Sequence, residues 1–186
     1  RDRPAVTGLA ERWGQSVFHC PYCHGYELGQ GRIGIVATGA VSAHQAELLT
    51  EWGEVTLLLN GAFELADDVR HTLEGRGVAI EHTPIDRIEG VADVVLADGR
   101  VLSFAGLFTA PRCAPSSGVA AAAGCALEDG PMGTQIVTDA ENKTSVRGIF
   151  ACGDVARAPH SVSLAVGHGA MAGIQVHRSL VWPDAS

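Results

Sequence analysis

The stretch Arg32-Ile33-Gly34-Ile35-Val36-Ala37 is an apolar run, and Thr38-Gly39-Ala40-Val41-Ser42 follows it directly. The run has the length and the branched side chains of a buried β-strand, and the glycine after it indicates a turn. Residues 43–52 then predict a helix that ends at Gly53, and residues 55–59 predict a second strand. This order of strand, turn, helix and strand is typical of a nucleotide-binding α/β domain.

The turn in this unit departs from the dinucleotide-binding pattern G-x-G-x-x-G/A. In the matching register Ala37 replaces the first glycine, Gly39 is retained, and Ser42 occupies the last position. The first glycine permits the tight turn beside the phosphates, so its loss weakens the prediction of a nicotinamide nucleotide site. Residues 60–64, which follow the second strand, contain no arginine for the 2′-phosphate of NADP.

The motif Cys20-Pro21-Tyr22-Cys23-His24-Gly25 lies just before this unit and contains the chain's one C-x-x-C pair. This spacing lets two sulfurs form a disulfide or share a metal ion, and it often favours the reactive thiolate. The motif is therefore typical of a redox dithiol, of half a zinc site or of a haem attachment site. A zinc site requires two more ligands at a matching spacing, and a haem site does not fit the α/β pattern. His24 is a candidate base for thiol chemistry, because imidazole exchanges protons near neutral pH.

The composition and net charge limit the classes of molecule that the chain is expected to bind. The net charge of −8 argues against nucleic acid and against anionic membrane surfaces. The three cysteines outside the motif (Cys113, Cys125 and Cys152) stand singly, which is not the pattern of a secreted disulfide framework. No signal peptide or membrane-spanning run is recognisable, so we expect a cytoplasmic protein without a membrane partner.

The rest of the chain predicts further elements. Residues 91–96 and 101–104 flank Asp98-Gly99, which is a hairpin signal, and residues 107–110 predict another buried strand. The block Gly148-Ile149-Phe150-Ala151-Cys152-Gly153-Asp154-Val155 predicts a strand over residues 149–152 and a turn after it. Residues 161–180 predict a long helix rich in alanine and glycine.

These elements, in this order, resemble the low-molecular-weight thioredoxin reductase family of flavoproteins. The resemblance rests on the C-x-x-C pair before a dinucleotide-type turn, on the strand that contains Leu107-Phe108, and on the block at residues 148–155. It implies an α/β fold with a three-layer, Rossmann-like central domain and the C-terminal segment of a second, FAD-binding domain. The implied division is residues 1–14 as the tail of the FAD domain, residues 15–113 as a degenerate NAD(P)-binding-like domain, and residues 114–186 as the return segment. The family's N-terminal FAD-binding half is missing from the sequence, which has no initiating methionine, so we expect a partial chain.

The resemblance also implies a set of site residues. Cys20 is the outer sulfur that the substrate attacks, Cys23 is the inner sulfur that passes electrons to the flavin, and His24 is the base. The implied cofactor is FAD, and the family's flavin contacts carry over to Gly153, Asp154, Val155, His160, Ser161 and Val162.

Departures from the reductases point to one branch of the family. His24 stands where reductases carry aspartate, and the intact glycine turn and the arginine-rich NADP clamp are missing. The sequence C-P-Y-C-H-G-Y-E resembles the corresponding motif of the FAD-dependent dithiol oxidases that form the disulfides of gliotoxin, holomycin and romidepsin. This implies a homodimer that oxidises a small-molecule dithiol and passes electrons to O2. The alternatives are an NADPH-dependent thioredoxin reductase-like disulfide reductase and a non-catalytic fragment or scaffold.

Overall fold

The computed structural model of the chain describes residues 4–183. The chain divides after Pro111 into two compact units, which are described separately below. Residues 1–3 and 184–186, the outer ends of the predicted tail and return segment, lie outside the described residues. The assignment of the predicted domains to these units stays a prediction.

The first unit combines a parallel sheet, an antiparallel sheet and two main helices. Its elements in chain order are β1 (Val17–Phe18), α1 (Pro21–His24), β2 (Arg32–Val36), α2 (Val41–Leu49), β3 (Glu54–Leu58), α3 (Asp67–Gly75), β4 (Ala79–Glu81), β5 (Ile85–Glu89), β6 (Asp93–Leu96), β7 (Val101–Ser103) and β8 (Gly106–Phe108). The parallel sheet has five strands in the order β1-β8-β2-β3-β4. The strands β5, β6 and β7 form the antiparallel sheet.

Alternate side chains of the parallel strands enter two different cores. Ile35 and Leu57 pack with Leu49 of α2 in the core on the helical face. Val36 and Leu58 pack on the opposite face with residues of the antiparallel sheet. A strand that is covered on both faces is apolar throughout, which explains the continuous run that starts at β2. The predicted α/β, three-layer architecture is therefore confirmed.

The sequence did not predict the strand β5, and it predicted the helix α2 at slightly different residues. The strand β5 contains three charged residues, and only Ile88 among its five residues is buried, so its apolar signal is weak. The helix α2 begins at Val41 and ends at Leu49, although the sequence predicted residues 43–52. Helix ends are poorly specified by apolar periodicity alone.

The second unit contains α4 (Val119–Ala122), β9 (Leu127–Gly130), β10 (Gly133–Ile136) and α5 (Val162–Val181). The hairpin of β9 and β10 was not predicted, because the two strands contain few apolar residues. The predicted strand over residues 149–152 is wrong. Phe150 forms a single bridge with Lys143, and no regular ladder extends from it among the described residues. No helix within residues 4–183 is long and apolar enough to cross a membrane.

An ion pair joins the edge of the parallel sheet to the antiparallel hairpin. Arg100 Nη1 lies 2.8 Å from Glu81 Oε2, and the Glu81 side chain is only 15% exposed. The Thr83 amide donates to the other carboxylate oxygen at 2.8 Å. The hydrogen bond from Arg100 is the main reason that the pKa of Glu81 falls from 4.5 to about 2.

We expect Glu81→Gln to lower the melting temperature by about 2–4 °C at pH 7. The pKa of Glu81 in the folded chain lies below its ordinary value, so its contribution to stability is complete above pH 4.5 and is lost as the pH falls towards 2. The difference between native and variant protein should shrink over that range. Thermal melts between pH 7 and pH 2 check this, with Glu51→Gln, an exposed glutamate, as the control. A difference that stays constant with pH would contradict the expectation.

Candidate active site

The cysteine pair lies at the start of α1, immediately after β1. Cys20 has an extended backbone and precedes the helix, and Pro21 occupies the first helical position. Proline is favoured there because its fixed φ suits a helix and its missing N–H leaves no donor unsatisfied. The Cys23 amide donates to the Cys20 carbonyl at 3.2 Å, which closes the turn between the two residues. Cys20 is half-buried, and Cys23 is exposed.

The thiol of Cys23 holds its proton more tightly than an ordinary cysteine does. The hydrogen bond to Cys20 raises the pKa of Cys23 from 9.0 to about 11, and burial and the charge of Cys20 act in the same direction. A donor that loses its proton gives up its hydrogen bond, and a negative charge on a neighbouring group opposes the loss further. Cys23 therefore keeps its proton at neutral pH.

His24 ends α1 and is held on two sides. Its Nδ1 lies 3.2 Å from Glu27 Oε2, three residues further along the chain. Its ring stacks on Phe18 with a centroid distance of 4.2 Å and an interplanar angle of 23°. Phe18 in turn contacts the ring of the buried Phe108 at 5.8 Å. The imidazole is thus fixed against the carboxyl ends of β1 and β8, while its side chain stays 37% exposed.

Two contacts with residues in α2 and just after it hold the cysteine motif in place. The buried Gln45 donates through Nε2 to the carbonyl oxygen of His19, the residue before the pair, at 2.9 Å. A Cβ atom on Gly25 would lie 2.9 Å from the Trp52 ring, so only glycine allows this close approach. The same ring meets Tyr22 edge-on at 5.6 Å. Sequence reasoning did not identify these supports, because they join residues that are distant in the chain.

The degenerate glycine turn is closed by its own side chains. The Thr38 amide donates to Ser42 Oγ at 3.0 Å, and the Thr38 hydroxyl donates to the Ala110 carbonyl at 2.8 Å. In the dinucleotide-binding pattern such amides face the pyrophosphate. A cavity of about 300 Å³ lies beside α2 and α3, and its two carboxylates belong to Glu47 and Glu64. Carboxylates repel a phosphate, so neither side chain suits the 2′-phosphate of NADP. Glu47 is also paired with Arg76, whose Nε lies 3.0 Å from Glu47 Oε1.

The predicted flavin contacts lie in the second unit, around a cavity of about 520 Å³. Asp154, Val155 and His160 line this cavity. Gly153 begins the short 3-10 helix Gly153–Val155 with a positive φ of 69° and does not line it. The buried Nδ1 of His160 has no hydrogen-bond partner among residues 4–183.

The remaining predicted contacts lie at the start of α5. Ser161 precedes the helix, and its amide donates to Asp154 Oδ1 at 3.3 Å. Val162 is the first helical residue and is exposed. In the described part of the chain, no side chain caps the first free N–H groups of this helix. These groups provide donors at the end of the helix that carries a partial positive charge.

Metal ligation was one interpretation of the C-x-x-C-H motif. Within residues 4–183 no group of three or more His, Cys, Asp or Glu side chains is arranged to hold a metal ion.

A family model described as pyridine nucleotide-disulphide oxidoreductase matches residues 1–169. The chain belongs to this family. The thioredoxin reductase sirT of Leptosphaeria maculans is 32% identical over 97% of this chain, and the chain spans 60% of that relative's length. The thioredoxin reductase tcpT of Claviceps purpurea (strain 20.1) is 33% identical, and 56% of its length is covered. These relatives confirm the resemblance that the sequence motifs indicated.

A solved structure of an oxidoreductase from Agrobacterium tumefaciens is similar in both sequence and fold. The two chains are 54% identical with a TM-score of 0.94 over 98% of this chain. The match covers 62% of the Agrobacterium chain. The chain thus spans about three fifths of the length of the proteins that it matches.

We expect Cys20→Ala to lower the pKa of Cys23 from about 11 towards 9.0. The substitution removes both the hydrogen-bond acceptor and the neighbouring negative charge, and only burial then still raises the value. The pH dependence of Cys23 alkylation, followed by mass spectrometry, measures this change. Cys125→Ala, in the other unit, serves as the control and should leave the profile unchanged. A Cys23 profile that Cys20→Ala does not move would contradict the assigned hydrogen bond.

Proposed function

We propose that the chain is the disulfide-bearing portion of an FAD-dependent dithiol oxidase. The enzyme converts a small-molecule dithiol to a disulfide through Cys20 and Cys23, with O2 as the final acceptor. The observation that carries the proposal is a cysteine pair at the start of one helical turn that is followed directly by an imidazole held in a fixed orientation. The relatives support a disulfide oxidoreductase, and the histidine after the second cysteine favours the oxidase branch.

The residues assigned to FAD fit such a group. The cavity beside Asp154 and His160 is large enough for part of a flavin nucleotide, and the unpartnered Nδ1 of His160 offers a polar contact. The free N–H groups at the start of α5 are suited to electronegative edges or phosphates. When bound, FAD supplies the two-electron oxidation of the reduced cysteine pair and the transfer of those electrons to O2.

The substrate half-reaction starts from the Cys20–Cys23 disulfide. His24 takes the proton of one substrate thiol, and the resulting thiolate attacks Cys20 Sγ. The Cys20–Cys23 bond breaks, and Cys23 leaves and acquires a proton. The second substrate thiol loses its proton and attacks the substrate sulfur that is bound to Cys20. The substrate disulfide forms, Cys20 leaves, and two electrons and two protons have passed to the enzyme.

The protonated Cys23 thiol supports the second attack. A sulfur leaves more readily when its thiolate is stabilised. The Cys23 thiol keeps its proton, because its pKa is raised to about 11, and donates a hydrogen bond to the departing sulfur of Cys20. This arrangement favours release of the product from Cys20 over the reverse reaction.

The closed glycine turn argues for the substrate dithiol as the electron donor. The Thr38 amide, which would face a pyrophosphate, is occupied by Ser42, and the adjacent cavity contains carboxylates. An enzyme that takes electrons from its substrate needs no nicotinamide nucleotide. Within this proposal residues 15–113 are a degenerate NAD(P)-binding-like domain, and residues 114–186 belong to the FAD domain. The whole protein is proposed to be a cytoplasmic homodimer.

Anaerobic titration of the intact flavoprotein tests the proposal. We expect a small dithiol to bleach the visible absorbance of the flavin, and air to restore it with formation of hydrogen peroxide. NADPH should not bleach it. Cys20→Ser and Cys23→Ser should each slow the bleaching by at least about 100-fold, because each removes one half of the redox disulfide, whereas Cys125→Ala should not.

Two results of the titration would contradict the proposal. Rapid bleaching by NADPH would assign the protein to the disulfide reductases. A protein that holds no flavin would favour the non-catalytic scaffold.

A further inference from the structure

The two ring nitrogens of His24 have different surroundings. Nδ1 lies 3.2 Å from Glu27 Oε2. An ionised carboxylate only accepts hydrogen bonds, so the nitrogen that faces it must carry a proton. In the neutral imidazole the other nitrogen, Nε2, then has the free electron pair.

A second contact fixes the plane of the ring. The imidazole stacks on Phe18, a residue that is only 9% exposed and packs on the buried Phe108. The stack allows the ring only two orientations, which are related by a flip about the Cβ–Cγ bond. The flip would replace Nδ1 by a carbon at the Glu27 carboxylate and lose the hydrogen bond. Glu27 therefore selects between the two orientations that Phe18 permits.

The contact between His24 and Glu27 is made by residues that are close in the chain. α1 ends at His24, and the 3-10 helix Tyr26–Leu28 begins one residue later. Residues three apart on such a turn are neighbours on one side of it. The Glu27 side chain is 70% exposed, and an exposed ion pair contributes little to stability. A stabilising role therefore does not explain the contact well, whereas a role in holding a proton does.

We infer that Glu27 is a positioning residue for His24. It keeps the proton on Nδ1 and presents Nε2 as the nitrogen that receives the proton of the substrate thiol. The catalytic consequence rests on the proposed function, whereas the assignment of the proton to Nδ1 does not. In the step concerned, the S–H bond of the substrate breaks, Nε2 gains the proton, and the electron pair stays on sulfur.

The first test reads the proton position directly and needs neither flavin nor turnover. Long-range proton–nitrogen NMR of the 15N-labelled chain distinguishes the two neutral forms of each histidine, and His24→Gln assigns the signal. We expect native His24 to be protonated on Nδ1. Glu27→Ala should shift His24 away from that form, and Glu27→Gln, which retains a carbonyl acceptor, should restore part of it. Glu74→Ala, at an exposed glutamate on α3, is the matched control and should change nothing.

The second test reads the consequence in the intact flavoprotein. Stopped-flow bleaching of the flavin by a small dithiol should slow about 10-fold to 100-fold in Glu27→Ala, by analogy with the loss of other groups that orient a histidine. Reoxidation by O2 should keep its native rate, because the step assigned to His24 is the earlier proton transfer from the substrate thiol. A general structural defect would change both rates and the melting temperature, whereas loss of positioning changes only the first.

The outcomes separate this inference from the proposed function. A native His24 protonated on Nε2 overturns the inference, whatever the enzyme does. Native dithiol bleaching that Glu27→Ala leaves unchanged overturns the positioning role. If the native protein fails to oxidise any dithiol while Glu27→Ala still moves the His24 proton, the proposed function fails and the assigned proton position stands.

Discussion

The packing of Phe18 connects the buried core of the first unit to its chemistry. Phe18 pairs with Phe108 in the parallel register of β1 and β8, and its ring belongs to the core on the helical face. The other side of the ring carries the imidazole of His24. Because the core fixes Phe18, the stacking on Phe18 also fixes the plane of the His24 imidazole, which remains partly exposed. One turn of helix and the hydrogen bond from Gln45 to the His19 carbonyl hold the adjacent cysteines at the same edge.

Two nearby segments at the carboxyl ends of the parallel strands serve different purposes. The residues after β1 leave the Cys23 thiol exposed, whereas the turn after β2 uses Thr38 and Ser42 to satisfy its own donors. A turn that binds a dinucleotide must leave its amides free and must admit the phosphates closely. Internal hydrogen bonds satisfy the backbone without a ligand, which stabilises the turn and opposes that use. The α/β scaffold is thus compatible with loss of nucleotide binding, because its strands and helix do not depend on the ligand.

The fold was largely predictable because its central strands are covered on both faces. Continuous apolar runs predicted β2 and β3 to within one residue, whereas β5, with one buried residue in five, gave no such signal. The error over residues 149–152 has the opposite cause, since an apolar segment there lacks a neighbouring strand within the described residues. The cysteine pair was recognisable from its spacing, and the catalytic role of the pair and of His24 stays a prediction. The contact of Glu27 with His24 follows from helical geometry and could have been predicted, but the contact of Gln45 with His19 depends on tertiary folding.

Two proton positions within residues 20–27 give the site its asymmetry. The raised pKa of Cys23 keeps its thiol protonated, and Glu27 holds a proton on one nitrogen of His24 and leaves the other free. Thiol–disulfide exchange requires a base that receives a proton, and the contact with Glu27 prepares His24 for that role. Glu27 and His24 are three residues apart, so the local chain sets this contact. The tertiary fold then has only to orient this segment, which the contacts of Phe18 and Gln45 accomplish.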